Sequence, residues 1–98
     1  MTDTASALAD IRAQIDELDA ALVGLLARRE ALVRRAAPLK SDTQAVRAPD
    51  RVAQVVARVR ALADEAGADP DLIERIYRAM IQAFIDMETG EHQRLGGA

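Results

Sequence analysis

Apolar residues recur every three or four positions along most of the chain, which is the period of an amphipathic α-helix. The first run passes through Leu8, Ile11, Ile15, Leu18, Leu22 and Leu25, then Leu32 and Ala36. It predicts one long helix from about Ser6 to about Ala37, with Pro38 near its C-terminal end. No segment alternates apolar and polar residues as a half-buried strand does, so no strand is predicted.

Two shorter helices follow in the same pattern. The second begins near Pro49, since proline is favoured at the first helical position, and Gly67 is a candidate left-handed C-cap. The third begins with Asp69 as N-cap and Pro70 as first residue. It is predicted to end near Gly90, or to continue through Glu91 to Leu95 as a frayed turn. Their inward faces carry Val52, Val55, Val56, Val59, Leu62 and Ala66, then Ile73, Ile76, Tyr77, Met80, Ile81, Phe84 and Met87.

The remaining segments are short. Residues 40–49 lack a helical period and hold several polar turn formers, which predicts a loop. Residues 96–98, Gly-Gly-Ala, are predicted to be a disordered tail. With 98 residues the chain has room for a single domain, whose core we expect over about residues 6–95.

The first predicted helix is long for a domain of this size. About 30 residues span roughly 45 Å, which exceeds the width of a compact domain of 98 residues. The two shorter helices cannot cover both of its ends, so part of its Ile and Leu stripe would be exposed. The predicted fold class is therefore all-α: a three-helix chain with one long N-terminal helix, assembled as an intertwined helical homodimer.

Composition excludes several classes of function. Thirteen basic against 16 acidic residues give a net charge of −3, which does not provide the basic face of a nucleic-acid-binding module. The absence of cysteine excludes a disulfide scaffold, a thiolate metal site and a thiol nucleophile. No apolar run approaches the roughly 18 to 20 residues of a membrane span, and the N-terminus lacks a signal-peptide pattern. We expect a cytoplasmic protein without nucleic-acid or membrane partners, and with neither metal nor cofactor.

Two arginines lie on or near the apolar stripe of the first helix. Arg29, four residues after Leu25 and three before Leu32, needs an anion there, either an internal acid or a ligand. Arg12 lies at the edge of the stripe, where an exposed arginine paired with Asp16 is the simpler interpretation. The two arginines are 17 residues apart, about 25 Å along a helix, so they can contact one small molecule only across an antiparallel dimer.

Two further charged residues are candidates for a site. Glu88 lies beside Ile81 and Phe84 on the inner side of the third helix, either as the partner of a cation or, if neutral, as a hydrogen-bond donor. Lys40 is the single lysine among twelve arginines. Several cations facing an apolar helical interior, without a nucleophile or a Gly-rich phosphate loop, favour the binding of a small dianion.

Several short motifs keep fixed intervals along the chain. They are Ile11-Arg12, Ile15-Asp16, Leu18-Asp19, Leu25-Leu26-Ala27-Arg28-Arg29, Lys40 and Val46-Arg47-Ala48-Pro49-Asp50-Arg51-Val52. Together, over Ala9 to about Leu95, they resemble the all-helical chorismate mutase family, which includes the closely related isochorismate pyruvate lyases.

The resemblance implies an intertwined homodimer with two active sites, each using an arginine from the other subunit's long helix. Arg12 would be that crossing arginine and Arg29 the one from the same chain, and both would bind substrate carboxylates. Lys40 would bind the bridging ether oxygen of the substrate, and Arg51 would help to orient the substrate. Glu88 falls where the family has a glutamine or glutamate that faces the same oxygen.

The implied reaction is the 3,3-sigmatropic rearrangement of chorismate to prephenate, which requires no acid, base or covalent step. The protein must hold the substrate in a reactive chair, which is a task of orientation. It must also stabilise the negative charge that grows on the breaking ether oxygen. Arginines that bind the two carboxylates and a lysine that contacts this oxygen are sufficient for both tasks.

Three substitutions relative to the best-known bacterial mutases leave the substrate open. Val52 replaces a glutamate that recognises the ring hydroxyl, Ala48 replaces an aspartate, and Phe84 replaces a serine. The Ala48–Val52 pattern is more similar to that of isochorismate pyruvate lyases, which form salicylate and pyruvate. Isochorismate and an amino-substituted chorismate are therefore alternative substrates. A non-catalytic helical dimer that binds a metabolite is the alternative from another class.

Overall fold

The computed structural model describes residues 3–96, apart from the side chains of His92 and Leu95. Its elements are α1 (Thr4–Ala36), a 3₁₀ turn η1 (Ala37–Leu39), α2 (Thr43–Arg47), α3 (Pro49–Ala66) and α4 (Pro70–Gly96). No strand occurs within this range, so the all-α prediction is confirmed. None of the helices in it has both the length and the apolarity needed to cross a membrane.

The ends of α3 and α4 follow the signals in the sequence. Gly67 caps α3 with a left-handed backbone at φ 76°, as predicted. Pro49 and Pro70 are the first residues of α3 and α4. The carboxylate of Asp69 accepts a hydrogen bond from the backbone N–H of Asp71 at 2.9 Å, which satisfies one of the free amides at the start of α4.

The C-terminal end of α4 differs from the prediction. The helix continues past Gly90 to Gly96, so the end near Gly90 is wrong and the alternative of continuation through Glu91 to Leu95 agrees with the structure. A glycine inside a helix costs only about 1 kcal/mol relative to alanine, and tertiary contacts override it. One such contact is the ion pair between Glu91 in this extension and Arg34 in the last turn of α1. Of the tail predicted to be disordered, Gly96 is helical, and residues 97–98 lie outside the described range.

The predicted loop at residues 40–49 contains a short helix, α2. Asp42 is its N-cap, and the Asp42 carboxylate accepts a hydrogen bond from the backbone N–H of Ala45 at 2.9 Å. Val46 is buried and anchors α2. The loop prediction was wrong here because five residues are too few to display a helical period.

The chain divides into two compact units, the first ending at Leu32 and the second beginning at Val33. The first unit consists of most of α1, and its apolar stripe is exposed. α1 contains no buried residue along its whole length. The exposed members of the stripe are Leu8, Ile11, Ile15, Leu18, Leu22, Leu25 and Leu32.

The second unit is organised around α4, which packs against α3 and also contacts α2 and η1. Its core is built from small and medium aliphatic side chains, which allow helices to approach closely. The buried apolar residues are Ala37, Val46, Val56, Val59, Ala63 and Ile81. Three residues that we expected to face inward are exposed: Leu62, Ala66 and Ile76. The contact between two helices covers a narrower strip than either apolar face.

Candidate active site

A buried carboxylate lies beside a solvent-accessible ammonium in the second unit. Glu88 on α4 has only 3% of its surface exposed. Its Oε1 forms an ion pair with Nζ of Lys40, whose side chain is 28% exposed. Because a buried carboxylate without a counter-charge is costly, Glu88 restricts where the ammonium can lie.

Lys40 owes its position to the turn that precedes it. Pro38 lies within η1, and Lys40 caps this turn in an extended conformation, with φ −93° and ψ 135°. The backbone N–H of Lys40 donates to the carbonyl oxygen of Ala37, which is buried, at 3.3 Å. A short rigid turn anchored in the core therefore carries the lysine to α4.

A cavity of about 600 Å³ opens between α2, the start of α3 and the middle of α4. Its apolar wall consists of Pro49, Val52, Ala53, Ile81 and Ile85. Its polar lining consists of Gln44, Arg47, Arg78 and Gln82. Glu88 follows Ile85 by three residues and Ile81 by seven, so it lies on the same face of α4 as the apolar wall.

The backbone at Ala48 brings two of these elements to the cavity. Ala48 has φ 40°, a left-handed conformation that is uncommon for a residue with a side chain. Its N–H donates to the carbonyl oxygen of Gln44 at 2.9 Å and so closes α2. The chain then turns directly into α3 at Pro49. As a result, Arg47 and Val52 line one cavity although they belong to different helices.

Arg78 is fixed at the cavity by ion pairs that join α3 to α4. Its Nε donates to Oε2 of Glu74 at 2.7 Å. Oε1 of Glu74 accepts from Nη1 of Arg60 at 2.9 Å, and Nη2 of Arg60 lies 2.9 Å from the Asp71 carboxylate. The hydrogen bond from Arg78 is the main reason why the pKa of Glu74 is lowered. Hydrogen bonds to Asp71 and Glu74 raise the pKa of Arg60.

The other predicted site residues lie as follows. Val52 borders the cavity and is half-buried. Arg51 is exposed on α3, and its Nη1 donates to Oε1 of Gln54 at 3.4 Å. Phe84 is half-buried on α4, and neither it nor Arg51 belongs to the cavity lining found among residues 3–96.

Arg12 and Arg29 both belong to the first unit. Arg12 is exposed and Arg29 is half-buried on α1. The spacing of 17 residues corresponds to about 25 Å of continuous helix, as the sequence indicated. Their roles in binding carboxylates stay predictions.

Sequence reasoning missed the two arginines of the cavity, Arg47 and Arg78. Arg47 belongs to the motif Val46–Val52, but it was predicted to lie in a loop. A loop prediction does not indicate where a side chain points. Arg78 offered a clearer signal. It precedes Ile81 by three residues and Ile85 by seven, so the helical period assigns it to the same face.

Comparison with known proteins gives a consistent family relationship. The family described as chorismate mutase type II matches residues 11–89. An isochorismate pyruvate lyase of Pseudomonas aeruginosa is 34% identical over 91 residues, which cover 93% of this chain and 90% of the lyase. A chorismate mutase of Methanocaldococcus jannaschii is 30% identical over 76 residues, which cover 76% of this chain and 77% of the mutase. A T-protein of Enterobacter agglomerans is 38% identical over 84% of this chain, which spans only 22% of that protein.

Proposed function

This chain belongs to the chorismate mutase type II family, and we propose that it converts chorismate to prephenate at a site containing Lys40 and Glu88. Membership makes it a chorismate mutase-type enzyme. The buried ion pair between these two residues carries the proposal for the site. It supplies a cation that is already held in place, which this rearrangement needs at the breaking ether oxygen.

Lys40 is the group proposed to act on the bond that breaks. In the rearrangement a ring C–O bond breaks while a C–C bond forms within the same molecule, and no proton is transferred. Negative charge grows on the ether oxygen in the transition state. A cation already held in place stabilises this charge without reorganisation, and therefore accelerates the reaction.

Glu88 is proposed to act in its ionised form, as a positioning residue for Lys40. The sequence left two roles open, a neutral donor to the ether oxygen or an ionised partner of the lysine. The ion pair supports the second role, because Oε1 of Glu88 contacts the ammonium of Lys40 directly. In this role Glu88 holds the ammonium in place by charge.

The remaining contacts of a dianionic substrate are proposed to come from a homodimer. Nine of the thirteen exposed large apolar side chains in residues 3–96 lie on α1, and such a patch favours a partner surface. A second copy of the chain would cover this stripe. It would also allow Arg12 of one subunit and Arg29 of the other to bind the two carboxylates, with Arg51 orienting the ring.

A second candidate reaction is the cleavage of isochorismate to salicylate and pyruvate. Two observations favour it: an apolar Val52 in the cavity lining, and the similarity to a lyase over 93% of the chain. This reaction breaks the same type of ring C–O bond, while a ring hydrogen moves to the methylene carbon of the side chain. It needs no external reagent, and it would use Lys40 at the same oxygen.

Separate incubation of the purified protein with chorismate and isochorismate, with identification of the products, tests the proposal. We expect prephenate from chorismate, at a rate that falls in Lys40→Ala. Salicylate and pyruvate as the main products would establish the second candidate. Turnover of neither compound would overturn both, and would favour either an amino-substituted chorismate as substrate or a metabolite-binding dimer. The cytoplasmic location expected from the sequence also stays a prediction, which cell fractionation checks.

A further inference from the structure

The cavity contains two cations for which the proposed reaction has no use. Arg47, the last residue of α2, and Arg78 on α4 both line it. Neither belongs to the set of residues proposed to hold the two carboxylates or the ether oxygen of the substrate. The side chain of Arg47 forms no hydrogen bond or ion pair with another residue in the described range 3–96. Its charge at the cavity therefore lacks an anion within that range.

Arg78 is held in place while donor groups remain available. Its Nε is occupied by Glu74, at 2.7 Å. A guanidinium has five N–H donors, so the four on its Nη atoms are left for a ligand. Glu74 is itself shared with Arg60, which approaches its other oxygen at 2.9 Å. Glu74 thus fixes the orientation of Arg78 through its Nε, while Asp71 supplies a second carboxylate to Arg60.

The lining indicates the class of ligand. The cavity volume of about 600 Å³ lies within the range of small-molecule sites, roughly 300–1,000 Å³. Pro49, Val52, Ile81 and Ile85 provide an apolar surface for a ring. Arginine binds carboxylates with two parallel hydrogen bonds. An apolar wall beside two guanidinium groups suits an acid that carries a ring better than it suits a fully hydrated inorganic anion.

We propose that Arg47 and Arg78 form a carboxylate subsite in this cavity, which binds the acid group of a small ring-bearing acid. The inference extends the proposed function and rests on it for the source of the acid. That source is either the substrate itself or a separate acid that modulates the enzyme. Both sources share the same chemistry, a carboxylate attached to an apolar ring.

Isothermal titration calorimetry with benzoate tests the subsite on the full chain. Arg47→Gln/Arg78→Gln is compared with Arg58→Gln/Arg75→Gln, which makes the same change in charge at two exposed arginines of α3 and α4 outside the cavity lining. We expect the cavity variant to bind benzoate at least tenfold more weakly than the wild type, and the control variant to bind it as the wild type does. Benzamide, the neutral analogue, is expected to bind at least tenfold more weakly than benzoate.

Several results would overturn the subsite: no saturable binding of benzoate, equal binding of benzamide, or equal weakening in both double variants. Circular dichroism verifies that the variants are folded. If Arg47→Gln/Arg78→Gln unfolds, the single variants Arg47→Gln and Arg78→Gln give the same comparison, and each is expected to weaken benzoate binding threefold or more.

Steady-state kinetics identifies the source of the acid. A raised KM with unchanged kcat in Arg47→Gln/Arg78→Gln, together with competitive inhibition by benzoate, would assign the subsite to the substrate. An unchanged KM with noncompetitive inhibition would assign it to a separate acid. Calorimetry does not require turnover, so failure of the proposed reaction and failure of the subsite are distinguishable.

Discussion

The ammonium of Lys40 contacts the carboxylate of Glu88, although the two residues are 48 positions apart in the sequence. Lys40 follows the turn η1, whereas Glu88 lies far along α4. Each residue accounts for the position of the other: the carboxylate is 3% exposed and needs a cation, and the cation is held where a substrate can reach it. Two of the predictions that follow depend on this contact.

Lys40→Ala is expected to lower kcat by more than about tenfold, since stabilisation of the ether oxygen increases in the transition state. Steady-state kinetics on the productive substrate measures the effect. A variant with normal kcat and only a raised KM would show that Lys40 contributes uniform binding instead.

The same substitution leaves a buried carboxylate without its cation, which typically costs about 3–5 kcal/mol of stability. The double variant Lys40→Ala/Glu88→Gln removes both charges, so its urea midpoint is expected to return towards that of the wild type. Its kcat is expected to stay low. Recovery of kcat together with stability would show that Lys40 matters only for folding.

Glu88→Gln is expected to lower kcat about five- to thirtyfold at every pH between 6 and 9, because loss of one charge-assisted contact costs on the order of 1–2 kcal/mol. Glu91→Gln is the matched control, one turn further along α4, and it is expected to retain activity. A higher kcat for Glu88→Gln near neutral pH would contradict the positioning role and support a protonated donor.

Mixing two inactive variants tests the shared site. If each site combines Arg12 of one subunit with Arg29 of the other, unfolding and reassembly of Arg12→Ala with Arg29→Ala produces mixed dimers. Half of the dimers are mixed and half of their sites escape both substitutions, so we expect about a quarter of the wild-type activity. Size-exclusion chromatography with light scattering measures the dimer itself. Recovery of no activity from verified mixed dimers would argue against sharing between subunits.

The hydrogen bond from Arg78 lowers the pKa of Glu74, and this makes a small part of the stability depend on pH. A carboxyl whose pKa is lower in the folded state stabilises the fold at pH values above its unfolded pKa, about 4.3. This contribution is lost as the pH falls through the lower folded value. The urea midpoint of Glu74→Gln should therefore lie below that of the wild type at pH 7 and approach it at pH 3.

The effect of Glu74→Gln is expected to be small because the ion pair is open to solvent. Asp71→Asn is a useful comparison, since it removes the other partner of Arg60 and leaves the contact between Glu74 and Arg78. An equal difference in urea midpoint between the wild type and Glu74→Gln at pH 7 and at pH 3 would contradict a stabilising role for the lowered pKa of Glu74.

The sequence by itself determined the helices and most of their ends. The step of three and four residues is a local property of the chain, and it correctly predicted the three long helices. Pro49 and Pro70 at helix starts and Gly67 at a left-handed cap act through their own backbone preferences, so they could be interpreted without a fold. The single lysine was also conspicuous from composition alone.

Only the tertiary structure decided which side chains meet. A helical period states that Arg78, Ile81, Ile85 and Glu88 share one face of α4, but it does not state what packs on that face. The ion pair of Glu88 with Lys40 and the cavity shared by Arg78 and Arg47 depend on how α4 packs against η1, α2 and α3. Those contacts join residues far apart in sequence, and their energies depend on burial and distance, which the order of residues does not contain.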